Sequence, residues 1–334
     1  MIIDLFSGAN GWGEGLKLLN QRNTLGIEID PTAAKTAVAN GHPTLVSSVT
    51  EVVPQAFNGR ASGEVGSPPC QGFSLQGLQL GIGDMPWIRA AIGLVLDGTD
   101  SVDAAVASLR LVAEDERTAL VLEPLRWALD VMPEWVAWEQ VPAVLPVWQM
   151  CADVLRAHGY SAWSGVVNAE QYGVPQTRRR AVLIASRVRE VGMPIPTHSR
   201  FHSSNPGRLD EGVLPWVSIV DALGYDPGSM RSNYGTGGDA SARGVRLSSM
   251  PAPTMTSKAG RNYWVDADGT KIRRVTLAEA ALLQTFPAGY VFHGTATEAF
   301  LQVGNAVPPV LAAHIVAEAT GLALPSELTL SRAA

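Results

Sequence analysis

"MIIDLFSGANGWGEGLKLLNQRNTLGIEID", residues 1–30, decides the fold. The short apolar run "IIDLF" passes into a turn holding Gly8, Gly11, Gly13 and Gly15, and then into helical spacing. That order is strand, loop, helix. "TLGIEID" is a second strand, and "PTAAKTAVAN" a helix opened by Pro31 in its first turn, where a missing N–H costs nothing. "EWVAWEQV" (134–141) and "RRAVLIAS" (179–186) read as further strands. Between them "PVWQMCADVLRAHGY" has a helical period and ends on Gly159, a C-terminal cap. Strands alternating with helices predict an α/β chain on a doubly wound, mostly parallel sheet.

The 334 residues suffice for a full core and for two domains. A composition 46 % hydrophobic and 17 % charged is that of a globular protein. Two cysteines cannot build a disulfide framework, no charged-then-apolar leader precedes the first strand, and no apolar run reaches the ~18 residues of a membrane span. The expectation is a cytoplasmic, monomeric protein with no membrane contact and no metal.

Charge is unevenly spread. Residues 176–275 carry 13 Arg and 2 Lys against 8 acids, a balance of +7, while the remainder carries −13 and the whole chain −6. Such asymmetry points to nucleic-acid contact, although a solvated basic face has the same composition. From 187 to 270 Gly, Pro, Ser and Arg become frequent and periodicity fades, apart from "PWVSIVDALG". We read 1–186 as the first domain, 82–113 as an insertion within it, 187–270 as a smaller irregular domain, and 271–334 as a return to the first. "VTLAEAALLQTF" and "VPPVLAAHIVAEATGLAL" supply the helices of that return.

A glycine-rich turn between strand and helix favours an anionic or closely held ligand, but any α/β protein likes glycine there. Glu28 adds a carboxylate at the tip of the second strand, about 20 residues on, which suits a ribose diol. The pair indicates a nucleoside-bearing cofactor without choosing between a nicotinamide dinucleotide and S-adenosylmethionine. "VGSPPCQGFSLQG" (65–77) sets Cys70, one of the two cysteines, on a stiff Pro-Pro turn. A buried free cysteine is commonly apolar filler, so the residue alone decides little.

In order, the chain carries "DLFSGANGWGEG", "GIEID", "GSPPCQGFS", "DER" (115–117), "WEQV", "QTRRR" and "QVGNAVPP". That series resembles the DNA cytosine-5 methyltransferases of bacterial or phage type, over nearly the whole chain outside the basic middle. "PPCQGFS", "QTRRR" and "GNAVPP" are jointly the specific part. The resemblance implies a Rossmann-like class I methyltransferase with an inserted target-recognition domain. It implies S-adenosyl-L-methionine as cofactor, double-stranded DNA as partner, and room for a restriction endonuclease acting beside it. Cys70 would be the nucleophile, because a thiolate adds readily and leaves easily. Glu139 would be the acid at ring nitrogen 3, holding a proton with the help of apolar neighbours. Arg178 and Arg180, on one side of an extended segment with Arg179 opposite, would hold the cytosine oxygen and steady the Cys70 loop.

By the same resemblance Phe6, Gly8, Ala9, Asn10, Gly11, Glu28, Ile29, Ser48, Val49, Pro69, Asn305 and Val307 line the cofactor pocket. Gln71, Ser74 and Gln176 would touch DNA near the base. Arg200, Arg231, Arg243, Arg246, Lys258 and Arg261, on loop-rich backbone, would touch it through phosphates and base edges. Three positions depart from the family: Asn10-Gly11 replaces Gly-Gly, Ser48 stands where an Asp is usual, and Glu139-Gln140-Val141 replaces Glu-Asn-Val. These bear on cofactor affinity or choice, and on the loop that Gln140 braces, more than on Cys70. An RNA cytosine-5 methyltransferase of the same fold and a non-catalytic DNA-binding module are the rival readings. A nicotinamide dehydrogenase would explain nothing after residue 65.

Overall fold

The computed structural model describes residues 1–69, 73, 83–232 and 244–329. Strands β1 (Ile2–Leu5), β2 (Thr24–Glu28), β3 (Thr44–Val46), β4 (Gly63–Gly66), β5 (Trp135–Gln140), β6 (Ser161–Asn168) and β8 (Arg179–Ser186) form a seven-stranded sheet. Its order is β3-β2-β1-β4-β5-β8-β6. Pairing is parallel from β3 to β5, and only β8 runs against its neighbours. From β1 the chain winds outward through β2 to β3, then returns to place β4 on the other side of β1. That reversal makes a crevice at the carboxyl ends of β1 and β4, where open α/β sheets bind ligands.

Both faces of the sheet are covered. Helix α1 (Gly11–Leu18) and the helix Pro309–Thr320 pack together on one face with Leu16, Val65, Ile184, Leu311 and Ile315. The helix Leu145–Ala157 covers the other with Trp138, Trp148, Cys151 and Leu155. Cys151 is fully buried, and burial pushes its thiol up. Helix α2 (Pro31–Ala39) starts as expected, with the Asp30 side chain accepting from Thr32 N–H and Pro31 in the first turn.

The insertion expected at 82–113 is a helical hairpin, Met85–Leu96 and Val102–Val112, whose Ile88, Ile92, Val106 and Leu109 join the Trp148 cluster. Its ends are clipped together: buried Asp84 accepts from Glu114 N–H (2.9 Å) and from the Thr118 hydroxyl (2.8 Å). The stretch Ala296–Thr320 is long and apolar enough to cross a membrane, which the sequence reading did not anticipate. Ala306 to Pro308 break it into two helices, and most of it is buried in the fold.

Beyond β8 the strands are short and lie outside the seven-stranded sheet. β7 (Gln176–Thr177) pairs with β11 (Ala252–Pro253). β9 (Ser229–Arg231), β10 (Val245–Arg246), β12 (Tyr263–Val265) and β13 (Lys271–Arg274) form an antiparallel sheet in the order β10-β9-β12-β13. Its last strand lies past the expected limit at 270. One apolar cluster unites Met230, Met255 and Trp264 of this region with Leu283, Phe286 and Val303 of the returning helices, and with Ala9 of the first turn.

The glycines of the first turn divide by role. A Cβ on Gly11 would overlap the Val307 carbonyl, and on Gly15 it would strike Ala312 and the Pro309 carbonyl at 2.6 Å. These glycines let α1 approach protein, not ligand. Gly8 alone of the four has no heavy atom closer than 4.0 Å on its Cβ side, and its φ is +51°. Gly11→Ala is therefore expected to cost about 2–3 kcal/mol through forced backbone displacement. Gly8→Ala should cost about 1 kcal/mol from left-handed strain. Thermal unfolding of the two variants checks this, and equal shifts would contradict it.

Candidate active site

The loops after β1, β2, β3, β4 and β5 all open on one edge of the sheet. In the first, Phe6, Gly8 and Asn10 have φ of 59°, 51° and 64°. Asn10 thus fills a left-handed position, which asparagine is among the few residues besides glycine to visit readily. Gly8 N–H donates to Glu28 Oε2 (2.7 Å), and Asp30 N–H donates to Oε1 (2.8 Å). Burial is the largest influence on the Glu28 carboxyl and pushes it above the usual carboxylate range, against the pull of those two N–H groups. Ile29 beside it is 68 % exposed, an apolar surface left open at the rim.

Ser48 turns its hydroxyl onto Thr50 Oγ1 (2.8 Å), while buried Val49 accepts at its carbonyl from the Trp127 ring N–H (3.1 Å). Tyr290 donates its hydroxyl to the Ala9 carbonyl at 2.5 Å, closing the back of the first turn. Val307 is buried against Gly11, and Asn305 is exposed. Asn10 Oδ1, Ser7 Oγ and both Asp4 carboxyl oxygens are buried without a hydrogen-bond partner among the described residues.

Across the crevice, β5 ends in Glu139 and Gln140. Glu139 is 3 % exposed; its Oε1 lies 2.5 Å from Arg180 Nε, and its Oε2 accepts from the Ser67 hydroxyl at 3.2 Å. Gln140 donates from Nε2 to the Pro68 carbonyl and accepts at Oε1 from Val141 N–H, both at 2.5 Å. The longer side chain thus still braces the Pro68-Pro69 turn. Cys70, Gln71, Ser74 and Arg243 lie outside the described residues.

Arg178, expected on one side with Arg180, is buried, donating from Nη1 to the carbonyls of Met255 and Gly304 and from Nη2 to that of Ala306, each at 3.1 Å. It ties the basic region to the turn that carries Asn305 and Val307. Gln176 is buried as well, its amide donating to the Leu283 carbonyl and Gln284 and accepting from Met255 N–H.

Among the basic residues, Arg200, Lys258 and Arg261 are exposed, and Arg231 is half-buried. Arg246 is also half-buried, stacked 4.6 Å over the Phe201 ring and donating to the Pro251 carbonyl. Lys271 and Arg274 on β13 add exposed cations that the boundary at 270 left out. Ser67 and Trp12 escaped the sequence reading, since their partners lie 55 and 72 positions away in the chain. Among the described residues no group of three or more His, Cys, Asp or Glu is placed to hold a metal.

The sequence model of the C-5 cytosine-specific DNA methylases matches residues 1–86, 103–213 and 222–320. The type II methyltransferase M1.HphI of Haemophilus parahaemolyticus is 26 % identical over 95 % of this chain and 85 % of its own length. M.HindV of Haemophilus influenzae is 25 % identical over 94 % of each chain. Among solved structures, a Schizosaccharomyces pombe Dnmt2 methyltransferase superposes with a TM-score of 0.63 at 16 % identity, over 96 % of this chain and 98 % of that one.

Glu28 yields a pH prediction. A diol needs the ionised carboxylate as acceptor, and that form is lost as pH falls through a pKa that burial has raised. Affinity for S-adenosylmethionine, measured by calorimetry, should fall on acidification, beginning above the ordinary carboxylate range. Glu28→Gln should bind more weakly near neutrality and lack that dependence. Affinity in the parent that stays flat would place the diol elsewhere.

Proposed function

The chain belongs to the C-5 cytosine-specific DNA methylase family, and from that premise we propose how its residues methylate cytosine. It is a DNA cytosine-5 methyltransferase. The observation that carries the reading is the meeting of Glu139 with Arg180 at the tip of β5, next to the Pro68-Pro69 turn that Gln140 holds ahead of Cys70.

Carbon 5 of cytosine is too weak a nucleophile to take a methyl group unaided. The Cys70 thiolate adds to carbon 6, forming the S–C bond while the ring's double-bond pair moves to make carbon 5 enamine-like. Glu139 supplies a proton to ring nitrogen 3, so the charge pushed into the ring is neutralised, and Arg180 pairs with the carboxylate left behind. S-adenosylmethionine, when bound, supplies the electrophilic methyl group. After carbon 5 has taken the methyl group, loss of its proton to a base and return of the nitrogen-3 proton to Glu139 let the thiolate leave and restore the ring.

Glu28, Ile29, Asn305 and the open side of Gly8 would hold that cofactor. Ser48, turned onto Thr50, leaves the usual adenine contact to a hydroxyl instead of a carboxylate. The base must leave the duplex stack, since neither ring face is reachable inside it. The exposed Arg200, Lys258 and Arg261 hold duplex phosphates. The relatives' type II names support a role in marking DNA against a restriction endonuclease.

Tritium-methyl transfer onto duplex DNA, with RNA in parallel, tests the reading. DNA should be labelled and Cys70→Ser should abolish labelling while duplex binding persists, because a hydroxyl is a far poorer nucleophile than a thiolate. Labelling of RNA alone would overturn the DNA assignment. Lys258→Ala or Arg261→Ala should weaken binding to all sequences and lower the salt slope by about one unit. A change confined to one target position would instead make that residue a base reader.

A further inference from the structure

The carboxyl torsion of a glutamate is broad and roughly two-fold, so its plane is set by hydrogen-bond partners more than by rotamer preference. Glu139 Oε1 has an ion-pair contact with Arg180 Nε at 2.5 Å but no hydrogen bond among the described residues, so the one hydrogen bond to the carboxyl is that of the Ser67 hydroxyl to Oε2 at 3.2 Å. Ser67 lies three positions before Cys70 at the start of the loop after β4. Its oxygen also accepts from the Trp12 ring N–H at 3.0 Å, and Trp12 is 2 % exposed within α1. An indole N–H can only donate, so it occupies a lone pair of the hydroxyl. The single hydroxyl hydrogen is then left for Glu139.

We propose that Ser67 is a positioning residue for the methyl transfer, setting the plane of the Glu139 carboxyl. With Oε2 engaged by Ser67, the edge turned toward the base is the one that Oε1 shares with Arg180. Trp12 orients the hydroxyl, so the first helix of the cofactor side helps aim the acid across the crevice. This rests on the reading of Glu139 as the acid at ring nitrogen 3, and the experiment separates the two claims.

The full chain and its variants are compared by single-turnover methyl transfer to duplex DNA, alongside DNA and S-adenosylmethionine affinity. Ser67→Ala should lower the rate about 10-fold, the loss expected for a hydrogen bond to a charged group. Both affinities should stay within about 2-fold, because the lost contact touches neither ligand. Ser67→Thr, which keeps the hydroxyl, should recover most of the rate. In a Glu139→Gln background, Ser67→Ala should change the rate by less than about 2-fold, since its effect passes through the carboxylate. An equal loss in both backgrounds, or no rescue by threonine, would make Ser67 a packing residue and overturn the proposal. If Glu139→Gln itself kept near-parental rates, the reading of Glu139 would fail first.

Discussion

The site depends on the antiparallel pairing of β5 with β8. In that ladder Gln140 faces Ala181 and Glu139 faces Val182, so Arg180 emerges just beyond the tip of β5, where its guanidinium reaches Glu139. Reversing one strand in an otherwise parallel sheet brings a cation from a distant part of the chain to the edge where the other loops open. A carboxylate as buried as Glu139 is costly to leave without partners, and the ladder supplies one while Ser67 supplies the second. The same strand end places Gln140 under the Pro68 carbonyl, so acid, cation and proline turn form one rigid unit.

The cofactor side is tied to that unit by close packing. Gly11 and Gly15 bring α1 against Val307, Pro309 and Ala312, and Arg178 holds the carbonyls that flank Asn305. Because Arg178 also holds the Met255 carbonyl, and Gln176 the Met255 N–H, the basic region and the cofactor-closing turn share their fasteners. The shared apolar cluster around Met255, Leu283 and Ala9 is consistent with this, since strain at one end has little room to relax before the other.

Much of this was readable in the sequence. The strand, turn and helix order predicted the sheet, and motif order predicted which loops would meet at one edge, including Glu139 with Arg180 and Gly8 with Glu28. The alternation carried through "QTRRR" treated it as one strand. The chain instead ends β7 at Thr177, paired with β11, and begins β8 at Arg179, paired with β5 and β6. Arg178 sits at that change of sheet, where the two-residue period has no hold. The glycines of the first turn illustrate a different limit: a glycine facing a ligand and one facing a neighbouring helix are identical in sequence, and only the packed partner distinguishes Gly8 from Gly11. Ser67 was silent because its meaning lies in partners that folding alone brings near.

The central claim is that this edge presents a cysteine to carbon 6 of cytosine beside Glu139 and Arg180. Its most direct test is to incubate the chain with S-adenosylmethionine and duplex DNA in which the target cytosine carries fluorine at carbon 5, which blocks the final proton loss. Mass spectrometry of the denatured, digested complex should find one DNA-linked peptide, with the link on Cys70. A parent enzyme that methylates ordinary DNA yet yields no such adduct, or one linked elsewhere, would contradict the account.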